Sequence, residues 1–190
     1  MEIYKVFKLY IMKNPFSELI EGIEQHRLWD SEETYSRNSY LKFGDELNTN
    51  IYLIVEGSVR VYVLEEEEEL TIRLGYKNNI VAAIDSFVTE KKSDLYIQAI
   101  RKTQVKVLKK TTFLSWVSAS TERLDLWRQN LEILVVQQMQ RERDILTTSP
   151  IERYHRVLAR SPQLFQEIPD KYIASYLRMS PETFSRIKKS

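Results

Sequence analysis

Residues Ile168–Ser190 run IPDKYIASYLRMSPETFSRIKKS. A first helix is expected over Asp170–Leu177, where Ile173 and Leu177, four apart, share one face. Ser180-Pro181-Glu182-Thr183 then marks a new helix start. Ser180 can accept a free amide hydrogen as N-cap, Pro181 suits the first helical position, and the Glu182 carboxylate lies at the positive end of the dipole. In this second helix Phe184 and Ile187 face inward, while Glu182, Ser185, Arg186 and Lys189 face outward. Two short helices around a tight turn make a helix-turn-helix, whose second helix can enter the DNA major groove. Arg186 can donate twice to guanine O6 and N7, and Glu182 can accept from cytosine N4. The same pair can also form an exposed ion pair four residues apart, and these two residues alone do not choose between the readings.

Just upstream, Thr148-Ser149-Pro150 ends a long helical pattern and reads as a hinge. Through Thr121–Thr147, the residues Leu124, Trp127, Leu131, Leu134, Gln138, Arg141 and Ile145 recur at alternating steps of three and four. That heptad spacing starts apolar and turns polar. One amphipathic helix on a neighbouring domain would account for it. Because Leu126, Ile133 and Val136 already offer that domain a second apolar side, Leu124, Trp127, Leu131 and Leu134 are expected to form a parallel dimer seam.

Between Ser39 and Lys110 the texture is different. Short β-branched and aromatic runs (Ile51–Val55, Ser58–Leu64, Leu70–Leu74, Asp94–Ile100, Gln104–Leu108) are separated by glycine or charge. Val59, Val61 and Val63 alternate with Arg60 and Tyr62, as on a strand. Gly44, Gly57 and Gly75 are expected at strand breaks, where access to positive φ is useful. The Glu65–Glu69 run reads as a solvated hairpin tip. Residues 1–38 read as helical, with Phe16, Leu19, Ile20 and Ile23 at helical spacing. The expected class is α+β. Residues 1–120 would hold N-terminal helices and an antiparallel sandwich or barrel, 121–148 a long dimerisation helix, and 149–190 the helix-turn-helix.

Composition narrows the function. The chain has no Cys, which removes disulfides, thiolate metal sites and Cys nucleophiles. His26 and His155 are far apart, so neither a metal site nor a cofactor is expected. A metal-dependent β-roll enzyme needs clustered His and carboxylate ligands, so no catalytic residue is expected either. The apolar run Val6–Met12 is short and broken by Lys8, unlike a signal peptide or membrane span, so the cytoplasm is the expected compartment. The net charge of +1 conceals an asymmetry. From Ser149 onward eight Lys/Arg face four acids, while residues 1–148 hold 20 basic and 23 acidic residues. A basic end on an acidic body suits a nucleic-acid-binding module joined to a sensor.

From roughly Lys42 to Lys189 the chain resembles the Crp/Fnr superfamily of bacterial regulators. The β-roll signature is Tyr52-Leu53-Ile54-Val55-Glu56-Gly57-Ser58-Val59-Arg60-Val61-Tyr62, preceded by Phe43-Gly44-Asp45. The helix-turn-helix matches at Ile173, Ala174, Leu177, Met179, Phe184 and Ile187, and the recognition pattern at Ser180, Glu182, Thr183, Arg186 and Ile187. The resemblance implies that residues 1–120 hold an antiparallel β-roll of jelly-roll, cyclic-nucleotide-binding-like type, and that the protein is a dimer on a pseudo-palindromic operator in double-stranded DNA. RNA polymerase and an unidentified small-molecule effector are further implied partners; a membrane is not. Glu182 and Arg186 would read bases, Ser180 and Thr183 would anchor phosphate, and Ser185, Lys188 and Lys189 complete the DNA-facing set.

Departures from the family pattern carry information. Arg178 stands at the usual turn glycine, implying a strained backbone or a modified turn. Pro181 replaces a residue that is often a base-contacting Arg, so the operator should differ from that of the catabolite activator. The sequence stops directly after the recognition helix, before any wing strands. In the cyclic-nucleotide cassette the family's Gly-Glu aligns with Ala82 and Ala83, and its phosphate-binding Arg with Ser93 or Asp94. A slip of one or two residues would bring Lys91 or Lys92 there. Ala82, Ala83, Ser93, Asp94 and Tyr96 are the candidate effector pocket, without the bidentate Arg partner a cyclic phosphate needs. Tyr76, Phe87, Tyr96 and Arg101 either line a pocket for another ligand or serve as core and surface. The alternative function is a small-molecule sensor, cyclic nucleotides included, that signals through protein contacts without DNA.

Overall fold

The computed structural model describes residues 16–190, so the Val6–Met12 run lies outside the described residues. Helix α1 (Ser17–Gln25) buries Leu19 and Ile23, the helical pair read from the sequence. The helical reading fails further on: Ser31–Tyr35 is strand β1. It is a polar edge strand that pairs only with the strand over Thr103–Leu108 (β8 below), with four of its five side chains exposed. It therefore carries no apolar alternation to betray it.

Seven further strands follow: β2 (Tyr40–Lys42), β3 (Ile51–Glu56), β4 (Ser58–Glu65), β5 (Glu68–Tyr76), β6 (Ile80–Val81), β7 (Tyr96–Ala99) and β8 (Thr103–Leu108). They form two four-stranded antiparallel sheets, ordered β1-β8-β3-β6 and β2-β7-β4-β5. Inner-face side chains, among them Ile54, Val59, Val61, Ile97, Val105 and Val107, fill the space between the sheets. Burying each contributes about 1.5–3 kcal/mol, which is what closes the roll. The β4–β5 hairpin turns at Glu66 and Glu67, both left-handed at φ 48° and 75°. Of the three glycines placed at strand breaks, only Gly57 has positive φ, at 91°. Gly44 and Gly75 provide room instead. A Cβ on Gly44 would lie 2.4 Å from the Tyr96 ring, and one on Gly75, inside β5, would lie 2.7 Å from Val81.

Helix α2 (Ile84–Thr89) lies between β6 and β7, and α3 (Lys110–Ser118) follows β8. Phe87, Phe113 and Trp116 pack with α1 into a second core at one end of the roll. The long helix α4 (Thr121–Leu146) spans about 39 Å at 1.5 Å per residue. Then come α5 (Pro150–Arg160), α6 (Leu164–Glu167), α7 (Asp170–Tyr176) and α8 (Pro181–Lys189) around a third core containing Tyr154, Leu164, Ile173, Leu177 and Phe184. No helix among the described residues is long and apolar enough to cross a membrane.

This third core is continuous with the roll, through Leu74 and Ile100. Helix α7 lies on β5, where Ser175 Oγ donates to Thr71 Oγ1 at 2.9 Å and accepts from the Thr71 amide at 3.3 Å. Arg60, on the outer face of β4, is buried there between the rings of Tyr62 and Tyr172, 4.2 and 5.0 Å from its Cζ. Its guanidinium is satisfied by Gln98 and by Glu69 at 2.6 Å. At the base of α5, the fully buried Asp144 accepts from Arg156 at 3.0 Å and from Arg160, tying α4 to α5.

Candidate nucleic-acid interface

The turn between α7 and α8 shows how the sequence sets the second helix. Leu177 caps α7, Arg178 takes φ 54°, the Arg178 amide donates to Ser175 O at 3.0 Å, and the Met179 amide donates to Ala174 O at 3.1 Å. This pair of bonds is the Schellman arrangement, with arginine in the left-handed position that glycine usually fills. The departure seen in the sequence is thus a strained residue in an ordinary turn. Ser180 then caps α8, its Oγ accepting from the Thr183 amide at 3.2 Å. Phe184 is 1% exposed and Ile187 packs beside it, so one face of α8 is fixed.

The opposite face is open. Pro181, Glu182, Ser185, Arg186 and Lys189 line a shallow surface there. Arg186 makes no hydrogen bond or ion pair among the described residues, so the Glu182–Arg186 ion pair that the spacing allowed is not formed. The Glu182 carboxylate instead turns to its own amide and the Ser180 hydroxyl, which lower its pKa. Ser180 and Thr183 use their hydroxyls on each other at 3.2 Å. Lys188 stands apart from the set, because its Nζ holds Asp170 at 2.8 and 2.9 Å.

The five cassette residues are not brought together. Ala83 is buried in the roll core at the start of α2, with Ala82 half-buried beside it. Ser93 is also buried, and its carbonyl, with those of Phe43 and Leu95, takes the Nζ of Lys42 at 2.8, 2.9 and 2.6 Å. Asp94 is exposed. Tyr96 lies on the other side of the sheet, stacked on Tyr62 with ring centroids 4.9 Å apart. The alternation explains this: Ile97 and Ala99 point into the roll, so Tyr96 and Gln98 point out. Of the other pocket candidates, Phe87 is core, Arg101 donates to the Glu167 carbonyl, and Tyr76 lines a cleft described below.

Along α4 the outward stripe differs from the heptad read in the sequence. Trp127 turns inward onto Phe113 and Phe87, at 5.0 and 6.1 Å between centroids, and Arg141 is buried under Tyr176, 3.9 Å from its ring. Leu124 is 54% exposed, Leu131 and Leu134 are half-buried, and Val135 and Met139 are 60% and 64% exposed. At 100° per residue, Leu124, Leu131, Val135 and Met139 fall on one face. Val135 and Met139 were missed because the neighbouring heptad phase was equally apolar near Trp127; the inward pull of Trp127 decides the phase.

No family model and no curated protein matches the chain. Solved structures do match. FixK2 from Bradyrhizobium japonicum is 18% identical, covering 84% of this chain and 82% of its own, with a TM-score of 0.68. The global regulator CLP of Xanthomonas campestris, described as c-di-GMP responsive, is 13% identical over 90% of each chain, with a TM-score of 0.64. The catabolite activator protein of Thermus thermophilus is 21% identical, covering 92% of this chain and 84% of its own, with a TM-score of 0.56. The resemblance read from the sequence therefore holds as one of fold: these neighbours are Crp/Fnr-type regulators with a cyclic-nucleotide-binding-like roll.

Proposed function

We propose that the chain is a Crp/Fnr-type transcription regulator that binds double-stranded DNA as a homodimer and does not take cyclic AMP as its effector. In this reading residues 1–120 sense, 121–148 dimerise and 149–190 bind DNA, with RNA polymerase and an unidentified small molecule as further partners. The observation that carries it is the state of α8. Its inner face is locked by Phe184, while Glu182, Ser185, Arg186 and Lys189 lie exposed along the outer face and Arg186 has no partner among the described residues. A desolvated arginine on a guanine edge gains two charge-assisted hydrogen bonds that nothing in the protein competes for. Ser180, Thr183 and Lys189 would meet phosphates; Lys188 would have to leave Asp170 to do so. The stripe of exposed Leu124, Val135 and Met139 with half-buried Leu131, flanked by Leu134, supplies the dimer seam. At the cassette, Ala83 and Ser93 are buried and no arginine is present for a cyclic phosphate.

Selection of bound duplexes from a random pool tests the reading. The expected result is an enriched pseudo-palindrome whose half-sites lie one helical turn apart, ~34–36 Å. Folded protein that enriches no sequence would overturn it in favour of a sensor acting through protein contacts.

A further inference from the structure

A cleft of about 590 Å³ opens between β5, α4 and α5, and none of Ala82, Ala83, Ser93, Asp94 or Tyr96 lines it. Its wall carries Arg73 from β5, Arg141 from α4 and Arg160 from α5, with Lys77 at the β5–β6 turn and, among the described residues, no Asp or Glu. Arg141 is 8% exposed; its Nη2 donates to the Thr71 carbonyl at 3.3 Å, while the buried Nη1 has no hydrogen-bond partner among the described residues. Arg73 has no carboxylate partner among the described residues. Asp144, the acid that acts on Arg141, is engaged by Arg156 and Arg160. Burial pulls the pKa of both Arg73 and Arg141 downward, as expected for cations lacking a counter-charge. Guanidinium stays charged in proteins, so the positive excess persists.

We propose that this cleft is a binding site for a small organic molecule bearing a phosphate group, held by Arg73 and the free Nη1 of Arg141. Guanidinium offers paired N–H donors that match phosphate oxygens, and a phosphate can bring two charges to one place, matching the local excess. The volume lies within the range of small-molecule sites and exceeds what a bare phosphate fills. Tyr76, Gln137 and Leu74 are available on the walls for the organic part. A ligand there touches the roll, the long helix and the helix-turn-helix at once. The site does not depend on DNA binding, and neither does its test.

Calorimetry and thermal melting of the full chain at low salt, with inorganic pyrophosphate as probe, decide it. The expected outcome is one site per chain and a raised melting temperature. Arg73→Gln and Arg141→Gln should each weaken binding about tenfold or more, the loss of a charge-assisted hydrogen bond. Lys102→Gln, at an exposed position that does not line the cleft, should leave it unchanged. Should Arg141→Gln fail to fold, Arg73→Gln, at a half-exposed position, carries the test alone. Absence of binding at millimolar pyrophosphate, or binding indifferent to Arg73→Gln, overturns the site. Citrate binding as tightly as pyrophosphate overturns the phosphate assignment.

Discussion

The polar groups of α8 and those around the roll's cassette are handled in opposite ways. On α8, Arg186 and Lys189 stand in solvent and form no ion pair among the described residues. Around the cassette, Lys42 is 1% exposed and its ammonium is shared among three carbonyls, while the Ser93 hydroxyl accepts from the Leu95 amide at 3.1 Å. A buried polar group must find its partners inside the fold, whereas an exposed one can wait for a ligand. The contrast favours the proposed reading, in which recognition lies on α8 and along α4 while the cassette residues serve as structure.

The largest expected effect breaks the open side. The α4 stripe counts twice in a two-fold interface. Leu131→Asp or Val135→Asp, each removing an anchor worth about 2 kcal/mol per copy, should weaken the dimer by ~4 kcal/mol, roughly a thousandfold. Sedimentation that finds a monomer at micromolar concentration before any substitution would remove the dimer from the picture.

On the closed side, Lys42→Met should cost about 3 kcal/mol of stability, because three carbonyls around a buried ammonium lose their donor at once. Denaturant titration measures it. Burial lowers the Lys42 pKa, so below the ordinary lysine value the unfolded chain holds the proton more tightly than the folded one. Stability should therefore rise with pH through that alkaline window, and Lys42→Met should flatten the rise. A loss below 1 kcal/mol would mean the cassette is not sealed as described. Cyclic AMP binding at micromolar concentration would say the same.

How much of this was legible in the sequence follows from where the signal was local. Ser180-Pro181-Glu182 and the spacing of Phe184 and Ile187 act within a few residues, so both the helix start and its inner face could be read directly. The runs that became β3, β4, β5, β7 and β8 announced themselves by β-branched density. β1 did not, because an edge strand with water on its faces has no need of apolar alternation. The side taken by Tyr96 depended on the register of β7 against β4, which pairs Tyr62 with Tyr96 and is set by contacts 34 residues apart. The cleft was illegible for the same reason: Arg73, Arg141 and Arg160 meet only after three elements have packed.

Arg186 and Lys189 sharpen the comparison within α8. A bidentate arginine–guanine contact discriminates by about 1–3 kcal/mol, whereas a lysine–phosphate contact adds affinity on any sequence. Arg186→Ala should weaken operator binding and relax preference at one base pair per half-site. Lys189→Ala should weaken operator and random DNA alike and make the salt slope shallower by about one unit. Affinities on a panel of singly substituted operators separate the two. Equal losses on every operator with Arg186→Ala would make Arg186 a phosphate contact and move the base-reading face elsewhere.

The smallest effect concerns the turn that aims α8. Arg178 is held at φ 54° by the two Schellman hydrogen bonds, a conformation that costs a residue with a Cβ about 1–2 kcal/mol. Glycine would remove that strain but would also enlarge the freedom of the unfolded chain, at about 0.5–1 kcal/mol. The balance predicts that Arg178→Gly stabilises by about 0.5–1 kcal/mol, raising the melting temperature of a chain this long by about 1–4 °C. The Arg178 carbonyl, which accepts from Arg153 at 3.1 Å, is kept in the variant, so no tertiary bond is lost to confuse the reading. The side chain is exposed beside α8. If the arginine is retained there for phosphate, Arg178→Gly should weaken binding to all DNA sequences equally and lower the salt slope by about one unit. A melting temperature that falls would show that the guanidinium holds the turn, and the strain assigned to Arg178 would then be offset within the protein itself.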